Sequence, residues 1–369
     1  MKIRKATRSY EAWLARHTPL VEADVALKHR RMAEDLFSFL RATFYRWMQL
    51  WPEVCPDVAR APQVLAVGDL HVENFGTWRD IEGRLVWGVN DLDEAYWLPY
   101  TIDLVRLAAS AHLAIAVRHL KVEPEEACGA ILEGYVKGLA EGGRPLVLAE
   151  DHKWLRELAL GELRDPARFW AKMDSLPTLK QPVPASAREA MEHLMPEPGV
   201  NYRVAHRVAG LGSLGRERYV ALADWRGGKV AREAKALAPS ACVWAAEEKG
   251  PTEILYQAML SCAVRCRDPF VQSRGHWIVR RLAPDCSRIE LSSLPGERDE
   301  TRLLEAMGYE TANLHLGSKK AMPGVKRDLK ERRLSWLHAA ARQMVRAVTS
   351  DWEDWRKTAR AAKTQGAVK

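Results

Sequence analysis

Between Val64 and Ala95 the chain reads VLAVGDLHVENFGTWRDIEGRLVWGVNDLDEA. Asp69, His71, Glu73 and Asn74 crowd the first half of this stretch, and Asn90, Asp91, Asp93 and Glu94 close it. Carboxylates this dense beside apolar runs are costly to bury unless they are paired or bound to a metal. Two acidic loops with an amide between them offer oxygen ligands for one hard cation and a carboxylate for a reacting hydroxyl. Phosphoryl transfer asks for that set, together with a cradle for the phosphates. A candidate cradle comes later, at Gly210-Leu211-Gly212-Ser213-Leu214-Gly215. G-x-G-x-x-G alone is weak, because a dinucleotide fold would follow it with a helix and an acidic residue. Here RERYVAL reads as a strand, and a turn at Gly227–Gly228 leads to another strand reaching Lys235. Backbone N–H groups of such a loop suit phosphate oxygens.

The elements that must hold these groups are legible in outline. Val64–Val67 is an apolar run that breaks at Gly68, and Asp80–Gly83 is a turn. The pattern predicts strand, polar loop, hairpin and second polar loop. Upstream, Leu36, Leu40, Phe44, Trp47 and Leu50 repeat at helical spacing over Val25–Trp51, while residues 1–24 are polar and mixed. TIDLVRLAASAHLAIAVRHL is apolar nearly all round and predicts a buried helix. Another helix runs from Pro124 to Leu139 and stops at Gly142–Gly143. Three polar-faced helical patterns fill residues 150–195, and Pro196-Glu197-Pro198-Gly199 is the best domain boundary. Beyond the glycine cluster we expect a helix over Pro251–Arg267, a strand in GHWIVRRL, and helices over Glu300–Leu316 and Leu329–Trp355. The second of these carries Leu334, Leu337, Ala341, Val345, Val348 and Trp352. A basic tail, Arg356–Lys369, is expected to fray.

Gly68-Asp69-Leu70-His71-Val72-Glu73-Asn74 resembles the G-D-L-H-x-x-N loop of aminoglycoside and choline-type kinases. Gly88-Val89-Asn90-Asp91-Leu92-Asp93-Glu94-Ala95 resembles their G-V-I-D-x-x-x-A segment, and Pro99–Leu104 looks like the P-x-x-D-L that follows. The resemblance implies that Asp69 is the base or orients the attacking hydroxyl, and that Asn74 and Asp91 hold magnesium. It implies that Asp103 accepts hydrogen bonds from the catalytic-loop backbone. His71 would brace the loop, and Asp93 would support the site. A glycine loop between two strands, with a lysine on the third, resembles the kinase small lobe. By that likeness Gly210, Gly212, Ser213 and Gly215 face the phosphates of ATP, and Lys235 contacts them. Glu253, near a helix start, would pair with Lys235, with Glu247 and Glu248 as alternatives; a plain acidic helix N-terminus, favoured by the helix dipole, is the stronger explanation of Glu253 taken alone. Trp277–Leu282 would meet the adenine.

The chain order departs from that family: glycine loop and lysine follow the catalytic loop. The expected fold is therefore α+β, protein-kinase-like and two-lobed, but circularly permuted, which is reasonable where the original termini lie close together. Residues 1–199 would form the helical large lobe, 200–295 the β-rich nucleotide-binding lobe, and 296–369 helices packing back on the large lobe. The chain also resembles a bacterial family known as domain of unknown function two-two-five-two. That likeness rests on LKHRRMAEDLFSFLRATFYRW, VGDLHVENFG, NDLDEAYWLPYTIDLVRLAAS, the GLGSLG region with REAKAL, and AMGYETANLHLGS. Alanine stands at position 42 where that family has glycine.

The expected activity is an ATP- and magnesium-dependent phosphotransferase acting on a hydroxyl of a small molecule. A kinase-like nucleotide-binding protein that is inactive, or that transfers a nucleotidyl group, is the alternative. V-G-D-L-H also resembles the opening motif of metallophosphoesterases, but no later G-D-x-x-D or G-N-H follows. A net charge of +8 on 369 residues fits a polyanionic ligand without requiring nucleic acid. No apolar run approaches membrane-spanning length. The N-terminus lacks an apolar signal core, and six cysteines show no close-paired ligand spacing, so a reduced, cytoplasmic protein is expected.

Overall fold

The structure is a computed structural model that describes residues 1–149, 151–159, 165–250, 252–286 and 299–366. The chain opens on α1 (Ile3–Leu14), where the sequence reads only as polar and mixed. Ile3, Ala6, Tyr10, Trp13 and Leu14 make one buried stripe along it. The single helix expected over Val25–Trp51 is three: α2 (Glu22–Glu34), α3 (Leu36–Ala42) and α4 (Phe44–Val54). Asp35 makes the first break. Its backbone is extended, and its carboxylate accepts from Ser38 N at 2.7 Å, capping α3. Thr43 makes the second, its hydroxyl donating back to Phe39 O at 2.7 Å.

Strands β1 (Gln63–Ala66), β2 (Phe75–Arg79), β3 (Leu85–Val89) and β4 (Tyr96–Pro99) follow. β2 and β3 form the expected hairpin, and Asp80 closes its turn by accepting from the Glu82 and Arg84 amides. β1 pairs with β4 instead of the hairpin. The two acidic loops meet for a different reason: they are the two ends of one hairpin. Phe75 lies opposite Val89, and Asn90 N donates to Asn74 O at 3.0 Å. Helices α5 (Thr101–Ala116) and α6 (Pro124–Glu141) come next, then β5 (Leu146–Val147) on the edge of β3.

After α7 (Lys153–Ala159), helices α8 (Pro166–Asp174) and α9 (Ala185–Glu192) lead into an antiparallel sheet. Its strands are β6 (Arg203–His206), β7 (Arg218–Trp225) and β8 (Gly228–Ala236), followed after α10 (Ala241–Ala245) and α11 (Tyr256–Cys262) by β9 (Gln272–Arg274) and β10 (Trp277–Leu282). The order is β6-β7-β8-β10-β9. Side chains alternate between its faces. Ala221, Ala234, Ala236, Trp277 and Val279 pack on α9, while Val220, Leu222, Ala231 and Leu282 pack with Met173 of α8. Both helices precede the Pro196–Gly199 break yet belong to the sheet's cores, so apolar packing divides the chain before α8. The 295/296 boundary lies outside the described residues.

The chain ends on α12 (Glu300–His315), α13 (Met322–Glu331) and α14 (Trp336–Gly366). α12 lies backbone to backbone along α6: a Cβ at Gly308 would fall 2.0 Å from Ile131 O. Leu337, Ala341, Met344 and Val348 of α14 are buried in the large core, but Leu334 precedes the helix and is 95% exposed. The helix continues into the basic tail as far as Gly366. The architecture is thus mixed α+β with small sheets. Among the described residues no helix is long and apolar enough to cross a membrane.

Candidate functional site

The first acidic loop hangs from α5 and α12. Asp103, fully buried at the start of α5, accepts from Val67 N at 2.7 Å and Gly68 N at 2.8 Å. His315 of α12 supports Asp103 from behind, with Nε2 3.0 Å from Oδ2, and its Nδ1 meets the Tyr135 hydroxyl at 2.9 Å. One turn after Asp103, the buried Arg106 donates through Nε and Nη2 to Asp69 Oδ1 and through Nη2 to Leu40 O. Burial pushes Asp69 up to about 6, with Arg106 working against the rise. Asn74 Oδ1 accepts from His71 N at 2.9 Å, and His71 Nδ1 accepts from Glu73 N at 3.2 Å, so both side chains shape the loop. Glu73 pairs with Arg41 at 2.6 Å.

The second acidic loop faces the sheet. Lys235 Nζ lies 3.2 Å from Asp91 Oδ1 and 2.6 Å from Asp93 Oδ2. Burial alone would raise Asp91, but the charges of Lys235 and Arg280 outweigh it and hold Asp91 well below the usual carboxylate range. Burial and the neighbouring Asp91 charge raise Asp93, with Lys235 and Arg216 working against the rise. Glu94 is raised to about 7 by burial, although Arg216 opposes this and Ser240 Oγ and Ala241 N donate to it. Val89 N, just before this loop, donates to Glu310 of α12 at 3.2 Å. One helix therefore braces both acidic loops.

The glycine loop, residues 207–217, lies against the first acidic loop. A Cβ on Gly212 would sit 3.1 Å from Asp69 Oδ2 and 3.2 Å from Arg41 O. Lys28 of α2 donates to Gly212 O at 2.8 Å, and burial lowers Lys28 to about 8. Ser213 Oγ accepts from Arg218 at 2.9 Å. Behind the loop Glu233 is fully buried among Arg207, Arg218 and Arg280, whose charges outweigh the effect of burial and hold it well below the usual range. Arg207, Arg218 and Arg280 also line the cleft beside the glycine loop, and Arg280 faces Asp91 as well as Glu233.

Between the loops lies a cleft of about 1090 Å³, lined by Asp69, His71, Asn74, Asp91, Asp93, Gly210, Gly212 and Ser213 among others. That is slightly above the roughly 300–1,000 Å³ usual for small-molecule sites. Three expected members stand elsewhere. Gly215 turns to α2: a Cβ there would fall 2.8 Å from Val25, and its carbonyl accepts from Val21 N. Lys235 is buried behind the carboxylates it pairs with and is not on the cleft surface. Glu253 is exposed, in the segment before α11, which starts only at Tyr256, and it makes no ion pair with Lys235. Asp91 and Asp93 take that place because the lysine side chain points across the sheet face toward the hairpin end. Sequence reasoning missed Lys28, Arg106, Glu310 and His315. The only signal for them was their occurrence in the segments LKHRR, IDLVR and AMGYETANLHLGS, which carry no chemistry by spacing.

The profile of a family described as "Uncharacterized protein conserved in bacteria (DUF2252)" matches residues 20–160, the part of the chain that holds both acidic loops. No curated protein and no solved structure matches the chain.

Proposed function

We propose that this protein is an ATP- and magnesium-dependent phosphotransferase, kinase-like, with its two lobes in permuted chain order. The observation that carries this reading is the approach of Gly212 to Asp69 Oδ2 beside a cleft that also holds the ionised Asp91. Asp69 is fixed through Oδ1 by Arg106, which leaves Oδ2 to take the proton from an attacking hydroxyl. Its carboxyl near 6 suits a base working around neutrality. Arg207, Arg218 and Arg280 on the cleft wall, with Lys28, are the cationic groups that would face a triphosphate. In this reading they take the role first assigned to Lys235, which instead keeps Asp91 ionised.

The donor set fits magnesium. Asp91 is ionised and on the cleft surface, and Asn74 Oδ1 keeps a second lone pair beside its bond from His71. Both are hard oxygens, as that ion prefers. Magnesium, when bound, would neutralise charge on the transferring phosphates. Asp103 and Glu310 keep the two ligand loops in register.

The test is calorimetric titration of the chain with ATP and magnesium, followed by turnover with ATP labelled at the γ or the α position. We expect micromolar binding, loss of γ-label transfer in Asp69→Ala and Asp91→Ala, and unchanged circular dichroism. Transfer of the α-label instead would make the chain a nucleotidyl transferase. Absence of ATP binding with every divalent metal would overturn the reading.

A further inference from the structure

We propose that His112, Cys128 and His338 form a second metal site, for a thiophilic divalent ion with zinc as its natural occupant. The three come from α5, α6 and α14, which pack on one another, and they lie far apart in sequence. One ligand atom from each lies within 4.8 Å of the others. His112 Nε2 is 3.3 Å from Cys128 Sγ, and the two imidazole rings are 5.2 Å apart. Zinc bonds of about 2.0–2.1 Å to nitrogen and about 2.3 Å to sulfur place tetrahedral ligands about 3.3–3.6 Å apart. The His112–Cys128 pair already has that spacing, and a modest side-chain rotation of His338 closes the rest.

A second observation points the same way. Nδ1 of His338 is buried and has no hydrogen-bond partner among the described residues, which is costly for a ring nitrogen. A metal ion would satisfy it. The Pro124 backbone also hydrogen-bonds the His112 ring, an outer contact of the kind that orients ligating histidines. Two imidazoles and one thiolate exclude magnesium and calcium, which take oxygen ligands, and select zinc or its neighbours. The half-buried histidines leave the fourth position to water. On binding, the Cys128 thiol gives its proton to solvent and the sulfur forms the metal bond. The consequence is a clamp that ties the start of α14 to α5, the helix that also carries Asp103 and Arg106.

The experiment uses the full chain, purified without a histidine tag. Zinc content is measured, and cobalt(II) is titrated into chelator-stripped protein to read sulfur-to-cobalt charge transfer. We expect one zinc per chain, a thiolate–cobalt band, and a rise in melting temperature on adding zinc. Cys128→Ser should lose the band, and His338→Asn should weaken cobalt binding at least tenfold, both with native circular dichroism. No stoichiometric metal in the wild-type chain, or no thiolate band with cobalt, would overturn the proposal whether or not the variants fold. Persistence of the band in Cys128→Ser would overturn it as well. None of these readouts depends on nucleotide binding.

Discussion

Replacing Arg106 by methionine should destabilise the protein much more at pH 8 than at pH 5. Arg106 is fully buried, lies over the Phe44 and Trp47 rings at 5.0 and 4.9 Å, and holds Asp69 Oδ1 and Leu40 O. Methionine refills most of that volume beside the rings, so the loss is mainly charge and hydrogen bonds. Removing one partner of a buried ion pair costs roughly 3–5 kcal/mol when the other must stay charged. Asp69 has an escape, because it can take a proton. Burial already lifts it from 3.8 to about 6 against the pull of Arg106, and without that pull it rises further. In the unfolded chain the same carboxyl ionises near 4. Between those two points the folded state binds more protons than the unfolded state, so stability falls as pH rises, by up to about 1.4 kcal/mol per pH unit. In the wild-type chain this fall is complete a little above pH 6. In the variant it continues upward, so the difference between them is small at pH 5 and grows to at most about 2.8 kcal/mol by pH 8, two pH units at about 1.4 kcal/mol each. Urea unfolding at four pH values, with the Asp69 carboxyl followed by carbon NMR, measures both quantities. A destabilisation independent of pH, or an Asp69 midpoint still near 6, would refute the coupling.

Gly212→Ala should weaken binding of ATP with magnesium about tenfold, or roughly 1.4 kcal/mol, because the new methyl must push the loop off Asp69 Oδ2 and Arg41 O by a few tenths of an ångström. Calorimetry reads this, and wild-type affinity would mean that the loop does not work in its observed position. Asp103→Asn should cost roughly 2–3 kcal/mol, since Val67 N, Gly68 N and His315 lose a charged acceptor. Hydrogen exchange at the Gly68 amide should accelerate with it, and unchanged protection there would show that the loop is held by something else.

What the sequence makes legible is local. The strand, loop and hairpin of Val64–Ala95 follow from short continuous apolar runs and from the Asp80–Gly83 turn, and the buried α5 follows from an apolar surface on all sides. The glycine loop between β6 and β7 is equally plain, because the flanking residues alternate. What fails is either compensated locally or depends on distant partners. Asp35 and Thr43 break a periodic helix through side-chain bonds to nearby backbone, which an apolar pattern does not register. α1 hides because its stripe is built from Ile3, Tyr10 and Trp13 among six polar residues. Lys235 and Glu253 were matched by order along the chain, whereas the fold matches Lys235 to carboxylates from the hairpin. The His112, Cys128 and His338 group has no spacing signal, since each residue belongs to a different helix.

α12 shows how the site's geometry is set from outside its own stretch of chain. Glu310 holds Val89 N at the mouth of one acidic loop, and His315 holds Asp103, which holds the other. Both props come from a helix more than two hundred residues beyond the loops they set. The glycine loop is likewise fixed from a distance, by Lys28 of α2 and by Val21 N on Gly215 O. A site whose members are positioned by packed helices, and not by their neighbours in sequence, survives relocation of the chain ends as long as those helices still meet. That is the physical condition under which a permuted kinase-like arrangement keeps its geometry. A change at Glu310 or His315, which do not line the cleft, should therefore disturb the two acidic loops as much as a change in the cleft itself.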